Sequence, residues 1–347
     1  MKGRQVVLGW LGGREAAALI VDGRLEDLLI AADAAATPGA IYRGVVDRPV
    51  KGLGGAFVRL PDGSGFLRET EGLAPGRTVI VQVTGTAEPG KAVPLTTRLL
   101  LKGRLSIVTP GAPGLNISRR IRDDAVRTRL QAVAAAAMAG SAVGLIMRSA
   151  AAEASDEEIA EEVTGLRRIA EAVVADLSGP PELLLDAPGP HDTAWRDWSD
   201  PAPDAVDEGP GALADHGVEA MIAAVLSPSV PLAGGGQMMV EPTRALVAVD
   251  VNTGADTSPA AGLKANIAAV RDLPRQLRLR GLGGQVVIDF APMPKRDRAA
   301  VEQQMRAAFR ADGTETVLVG WTPLGNFELQ RKRDRLPLAS ALEGLRL

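Results

Sequence analysis

The sequence predicts a mixed α/β chain, an α+β composite in which a β-rich part precedes strand–helix–strand units. Three observations point there. Between residues 5 and 97 the apolar runs are short and broken by Gly, Pro and Asp; around 155–173 and 298–310 apolar side chains recur at helical spacing; and two apolar strands, at 245–252 and 283–290, flank a helical stretch ending in Arg275-Gln276-Leu277-Arg278-Leu279-Arg280.

Taken in order, Gln5–Trp10 and Glu15–Val21 alternate as paired strands, Asp22-Gly23 supplies a hairpin turn, and Arg24–Ile30 continues the meander. Ile41–Val46, Gly55–Leu60, Gly65–Leu67 and Thr78–Val83 are short and regularly punctuated, the pattern of a small barrel. Ser155-Asp156-Glu157-Glu158 forms a capping box, and Ile159, Val163, Leu166, Ile169 and Val173 follow at helical spacing. Glu182–Leu185 reads as a short buried strand, and the Pro-, Asp- and Gly-rich stretch 186–210 as a surface excursion. Gly234-Gly235-Gly236 reads as a turn, since it continues into neither a dinucleotide nor a Walker pattern. Arg298–Arg310 is a second amphipathic helix with Val301, Met305, Ala308 and Phe309 inward, and Glu315–Val319 one more core strand.

With 347 residues and 46% hydrophobic content, the chain can bury a sizeable core across two or more domains. A formal charge of −3 argues against a sequence-blind nucleic-acid binder, although Arg119, Arg120, Arg122, Arg127 and Arg129 cluster, as do Arg331, Lys332, Arg333 and Arg335. There is no cysteine, which excludes disulfides and thiolate-bound zinc or iron–sulfur centres, and two histidines make a His-rich metal site an unsuitable reading. No signal-peptide pattern and no uninterrupted apolar run of membrane-spanning length is present, so a cytoplasmic protein without membrane attachment is expected.

The chemistry is concentrated in two strand tips. Ala245–Val249 ends in Asp250-Val251-Asn252, and Gln285–Ile288 ends in Asp289. Carboxylates at the tips of neighbouring buried strands can share one hard cation, and Mg²⁺ binds through one or two carboxylates plus substrate phosphate. The pattern alone leaves the alternative that Asp250, ahead of Asn252-Thr253-Gly254, caps a turn and that Asn252 forms an Asx turn.

The order and wording of several blocks resemble the ribonuclease E/G endoribonucleases. These are Ile41-Tyr42-Arg43-Gly44-Val45-Val46, Gly55-Ala56-Phe57-Val58, Gly65-Phe66-Leu67, Leu95-Thr96-Thr97, Gly114-Leu115-Asn116-Ile117-Ser118-Arg119-Arg120-Ile121, Gly144-Leu145-Ile146-Met147-Arg148-Ser149-Ala150, Thr243-Arg244-Ala245-Leu246-Val247, Asp250-Val251-Asn252, Asn266 and Val287-Ile288-Asp289-Phe290. The resemblance implies a ribonuclease H-like subdomain from 1–36 and 177–240, an inserted S1-type OB-fold module at 37–98, a 5′-sensor region at 99–176, and a deoxyribonuclease I-like catalytic subdomain at 241–347. It implies a Mg²⁺-dependent endoribonuclease, with Mn²⁺ as substitute ion, that cuts single-stranded RNA to 5′-phosphate and 3′-hydroxyl ends in RNA processing or turnover. Asp250 and Asp289 are then the metal ligands and, with Asn252 near the scissile phosphate, the catalytic set; Arg148 and Ser149 match the pair that binds a 5′-monophosphate. Phe57, Phe66, Lys91, Arg119 and Arg120 match or suit RNA-binding positions, although a barrel Phe is commonly core and paired arginines commonly mark a helix surface.

The chain departs from that pattern at Pro292, where a third acidic residue is usual, at Pro274, which interrupts the helix, in a shortened loop after Asn252, and at Thr322-Pro323-Leu324-Gly325, which replaces Ser-Arg-x-Gly. Without cysteine no zinc and no zinc-linked dimer is expected, and any oligomer would use other contacts. The altered surroundings keep a rival reading open, an RNA-binding protein of the same fold with weak or no catalysis.

Overall fold

The computed structural model describes residues 3–31, 36–50, 52, 54–88 and 90–345. They form two compact units, one from Val7–Ile30 with Asp207 onward, the other from Gly3–Val6 with Ala31–Val206. β1 (Arg4–Leu11), β2 (Arg14–Val21) and β3 (Arg24–Ile30) form the expected meander, and Asp22 (φ 50°) and Gly23 (φ 76°) supply the two positive φ values of a tight hairpin turn.

β4 (Ile41–Val50), β5 (Gly55–Leu60), β6 (Gly63–Leu67), β7 (Thr78–Val83) and β8 (Val93–Thr96) close into a five-stranded barrel in the order β4-β5-β6-β8-β7-β4, with β6–β8 parallel. A closed barrel of this size and order is consistent with an OB-fold. Its interior is Tyr42, Val46, Ala56, Val58, Leu60, Leu67, Val79, Val81, Val83 and Leu95. The closing strand, β8, follows a polar loop and shows no alternation of its own in the sequence.

β9 (Leu101–Lys102), β10 (Ser106–Thr109), β11 (Leu115–Ile117) and β12 (Gly144–Met147) make a small sheet backed by α1 (Asp124–Ala137) and α2 (Asp156–Ala175). The Ser155–Glu158 capping box is present in full at the start of α2. β13 (Glu182–Leu185) pairs with β4 but is not buried; Leu183 is exposed, because the strand lies on the outside of a barrel that is already closed. The 186–210 stretch is more ordered than a surface excursion: α3 (Pro190–Trp198) starts on a proline at its first turn and buries Ala194 and Trp198, and β14 (Ala205–Glu208) joins β1.

After α4 (Ala212–Asp215) and α5 (Val218–Leu226), a six-stranded sheet runs β15-β16-β17-β18-β20-β19. Its strands are β15 (Ser229–Pro231), β16 (Gln237–Pro242), β17 (Val247–Asn252), β18 (Gly284–Asp289), β19 (Thr316–Trp321) and β20 (Phe327–Arg331). α6 (Ala261–Leu279) and α7 (Arg298–Asp312) cover one face through Val249, Val251, Val270, Leu277, Val286, Ile288, Val301, Met305 and Phe309; α8 (Leu338–Ala341) closes the described chain. Two further expectations are corrected. Pro274 does not interrupt α6 but sits buried within it, where packing offsets the hydrogen bond that proline cannot make. The strand expected at 315–319 lies at the sheet edge rather than in the core, leaving Val317 and Val319 exposed. No helix among the described residues is long and apolar enough to cross a membrane.

Candidate functional site

β17 and β18 are parallel neighbours, and their register pairs Asp250 with Asp289. Val247, Val249 and Val251 on β17, and Val286 and Ile288 on β18, face the helices, so period-two alternation turns both aspartates to the uncovered face. Adjacent strands lie ~4.8 Å apart, which places the carboxylates side by side within reach of one cation. Asn252 donates its side-chain amide to Asp250 Oδ2 at 2.6 Å. The Asp289 carboxylate takes part in no side-chain hydrogen bond or ion pair among the described residues.

This donor set fits a particular kind of ion. Among the described residues no group of three or more His, Cys, Asp or Glu could hold a metal, which argues against an all-protein cage. Two exposed carboxylates suit a hard cation that keeps several waters and completes its shell with phosphate oxygens, as Mg²⁺ does.

Backbone packing fixes both tips. Gly254 has φ 64°, and a Cβ there would lie 2.4 Å from the Gly235 carbonyl; the 234–236 turn thus backs the segment after Asn252. On the other side Asn266, fully buried on α6, accepts from Ala291 N–H at 3.0 Å and donates to Ala291 O at 2.9 Å. The Pro292 carbonyl approaches so closely that a Cβ at Gly262 would meet it at 2.1 Å. Asn266 was legible in the sequence only as a matching residue; its work is to satisfy the backbone directly after Phe290. Asn266→Ala would leave the buried N–H and C=O of Ala291 unpaired, costing about 1–3 kcal/mol each at most. The expected result is a lowered melting temperature and a further loss of activity per folded molecule, measured on the same preparation.

A cation at this rim was missed in the sequence. Trp321 pairs with Phe327, which pairs with Ile288, so the end of β19 lies at the Asp289 end of the sheet. There Arg298 stacks on Trp321, its Cζ 4.4 Å from the ring centroid, and its Nε is buried without a partner. Trp321 in turn donates to Glu302 at 2.7 Å and packs on Phe290. Nothing local in the sequence separates Arg298 from its neighbours Lys295 and Arg296.

The arginines of 275–280 are not available for substrate. Arg275 pairs with Asp272, Arg278 with Glu26, Asp27 and Asp312, and buried Arg280 with Gln276 and the Ser227 carbonyl. Arg331 and Arg335 are likewise engaged, by Asp312 and Asp27.

In the other unit, Phe57 and Phe66 are register partners on β5 and β6, with ring centroids 5.6 Å apart, edge to face. They are half-buried and alternate with the core residues Ala56, Val58 and Leu67, so they stand on the outer wall of the barrel and not in its interior. Lys91 is exposed and pairs with Glu88 at 2.5 Å. Arg119 and Arg120 are exposed on the turn after β11, not on a helix. Arg148 and Ser149 follow β12 and both meet acids: Arg148 Nη2 donates to Asp197 at 3.2 Å, and the Ser149 hydroxyl to Asp200 at 2.8 Å. Burial pushes the Asp197 carboxyl up, but hydrogen bonds and charge from Arg196 and then Arg148 outweigh this and hold it below the usual range.

The model of the Ribonuclease E/G family matches residues 100–209 and 204–334. Ribonuclease E from Nostoc sp. is 31% identical over 92% of this chain and 54% of its own length. Ribonuclease E from Synechocystis sp. is 28% identical over 85% of this chain and 52% of its own length. Ribonuclease G from Escherichia coli (strain K12) is 28% identical over 86% of this chain and 73% of its own length. The chain thus spans about half the length of the two ribonuclease E relatives.

Proposed function

Because the chain belongs to the ribonuclease E/G family, we propose that it is a Mg²⁺-dependent endoribonuclease acting on single-stranded RNA in RNA processing or turnover, in the cytoplasm. Cleavage would leave 5′-phosphate and 3′-hydroxyl ends. The observation that carries the reading is the parallel register pairing of Asp250 with Asp289 on an uncovered sheet face.

Asp250 and Asp289 would hold the cation, and Asn252, bonded to Asp250, would present its remaining amide hydrogen to the scissile phosphate. A Mg²⁺ ion bound there would polarise a phosphoryl oxygen and lower the pKa of the attacking water. Arg298, at the same rim, supplies a guanidinium beside the loop in which Pro323 stands where the family pattern has arginine. Phe57 and Phe66 would stack unpaired bases, with Lys91, Arg119 and Arg120 on phosphates, and Arg148 with Ser149 are the candidate 5′-phosphate residues. The one-sided mixed sheet from β15 to β20 supports a deoxyribonuclease I-like catalytic part, and the β1–β3 meander a ribonuclease H-like part.

The test is cleavage of a labelled, unstructured A/U-rich RNA with Mg²⁺ and with EDTA. Cutting that requires Mg²⁺ supports the nuclease. Tight binding with no cutting under either condition would favour instead a non-catalytic RNA-binding protein, the reading to which Pro292 and the shortened loop after Asn252 lend weight. Independently, Phe66→Ala is expected to weaken RNA binding by about 1–3 kcal/mol, the worth of one stacked base. Fluorescence anisotropy would read this, and unchanged affinity would remove the barrel wall from the RNA path.

A further inference from the structure

Arg148 and Ser149 meet their acids in a way that decides which RNA ends they can accept. Arg148 Nη1 donates to the carbonyls of Gly103 at 2.6 Å and Arg196 at 3.2 Å, and Nη2 donates to Asp197 Oδ1 at 3.2 Å. Ser149 has one hydroxyl proton, and it goes to Asp200 Oδ2 at 2.8 Å. Asp197 is itself clamped by Arg196, through Nε at 3.1 Å and Nη2 at 2.7 Å. Both acids sit at the end of α3, which is anchored by buried Ala194 and Trp198, and by Arg4 donating to the Trp198 carbonyl at 3.0 Å. The guanidinium edge formed by Nη1 and Nη2 and the hydroxyl are therefore already serving anionic or carbonyl acceptors.

We propose that Asp197 and Asp200 are specificity-determining residues that make this chain indifferent to a 5′-monophosphate on its RNA. The inference rests on the nuclease reading above and on Arg148 and Ser149 as its 5′-phosphate residues. A terminal phosphate carries between one and two negative charges and would arrive beside two carboxylates. It would also compete with acceptors tethered to the same chain, whose effective concentration is in the ~mM range.

The test compares two oligoribonucleotides of one A/U-rich sequence, with a 5′-monophosphate or a 5′-hydroxyl, by anisotropy in EDTA. The wild-type chain is expected to bind both within about twofold, and Asp197→Asn/Asp200→Asn to favour the phosphorylated end by about tenfold, the worth of one charge-assisted hydrogen bond. Adding Arg148→Ala should abolish that gain. Asp200→Asn alone, which leaves the Arg196–Asp197 clamp intact, should give a smaller gain if the double variant folds poorly. A tenfold preference for the phosphorylated end in the wild type, or no gain in any folded variant, overturns the proposal while leaving the nuclease reading standing. Failure of both RNAs to bind the wild type would overturn both readings.

Discussion

Asp250→Asn and Asp289→Asn are each expected to lower RNA cleavage by on the order of 10²–10³-fold, the scale on which a charge-stabilising group acts at a reacting centre. Stability should move the other way. The two carboxylates stand side by side at paired register positions on an open sheet face. Like charges placed opposite each other on neighbouring strands repel, so neutralising one is expected to raise stability by about 0.2–1 kcal/mol in the absence of divalent cation. With Mg²⁺ the order should reverse, because only the wild type would gain from binding the ion. Thermal melts with and without Mg²⁺, beside a cleavage assay, check all three signs. If Asp250 only caps the turn before Thr253, Asp250→Asn would keep its activity and would show no Mg²⁺-dependent difference in melting.

Asp312→Ala is expected to be strongly destabilising for the β15–β20 sheet and its covering helices, at about 3–5 kcal/mol, with a fall in melting temperature on the order of 10 °C. Asp312 is the last residue of α7, and its side chain is 1% exposed. It holds Arg331, whose side chain is 2% exposed, at 2.6 Å, and it also holds Arg278. Arg278 continues the network to the Glu26 carboxylate at 2.6 Å and toward Asp27, which Arg335 engages from the far end. Removing the central carboxylate strands a buried guanidinium, and that uncompensated charge carries most of the cost. Replacing both partners, as Asp312→Leu/Arg331→Met, should recover much of the loss. A double variant as unstable as Asp312→Ala alone would show that the charges themselves are needed.

Local chemistry was legible and distant partnership was not. Asp22-Gly23, the Ser155–Glu158 box and the α7 stripe of Val301, Met305 and Phe309 each carry their signal within one turn or two. The Asp250 and Asp289 tips could be read as strand ends, but their register could not, because it depends on a strand pairing across an intervening helix. α3 was hidden by its Pro- and Asp-rich composition, although Trp195 and Trp198 within that stretch were a clue to a structured segment. Val317 and Val319 alternate like any half-buried strand; the sequence does not say that the face they point to is uncovered. Pro274 was overridden by tertiary packing. The partners of Arg148 and Ser149 lie 49 and 51 residues downstream, beyond any local pattern.

The unit that carries the two strand-tip aspartates is interrupted in sequence, and this sets an order in time. Val7, Leu11, Ile20 and Leu28 share one core with Leu213, Val218, Ile222, Leu279 and Leu338. On a ribosome adding about 5–20 residues per second, β1 to β3 would wait on the order of 10–40 s for α5 to be made. The barrel and the α1–α2 layer, almost contiguous within Ala31–Val206, meet no such delay. The early meander is therefore the segment of this chain with the greatest need of a holdase during translation. Limited proteolysis of ribosome-arrested chains should find the barrel protected first, and β1 to β3 only after α5 and α6 have emerged; simultaneous protection would refute that order.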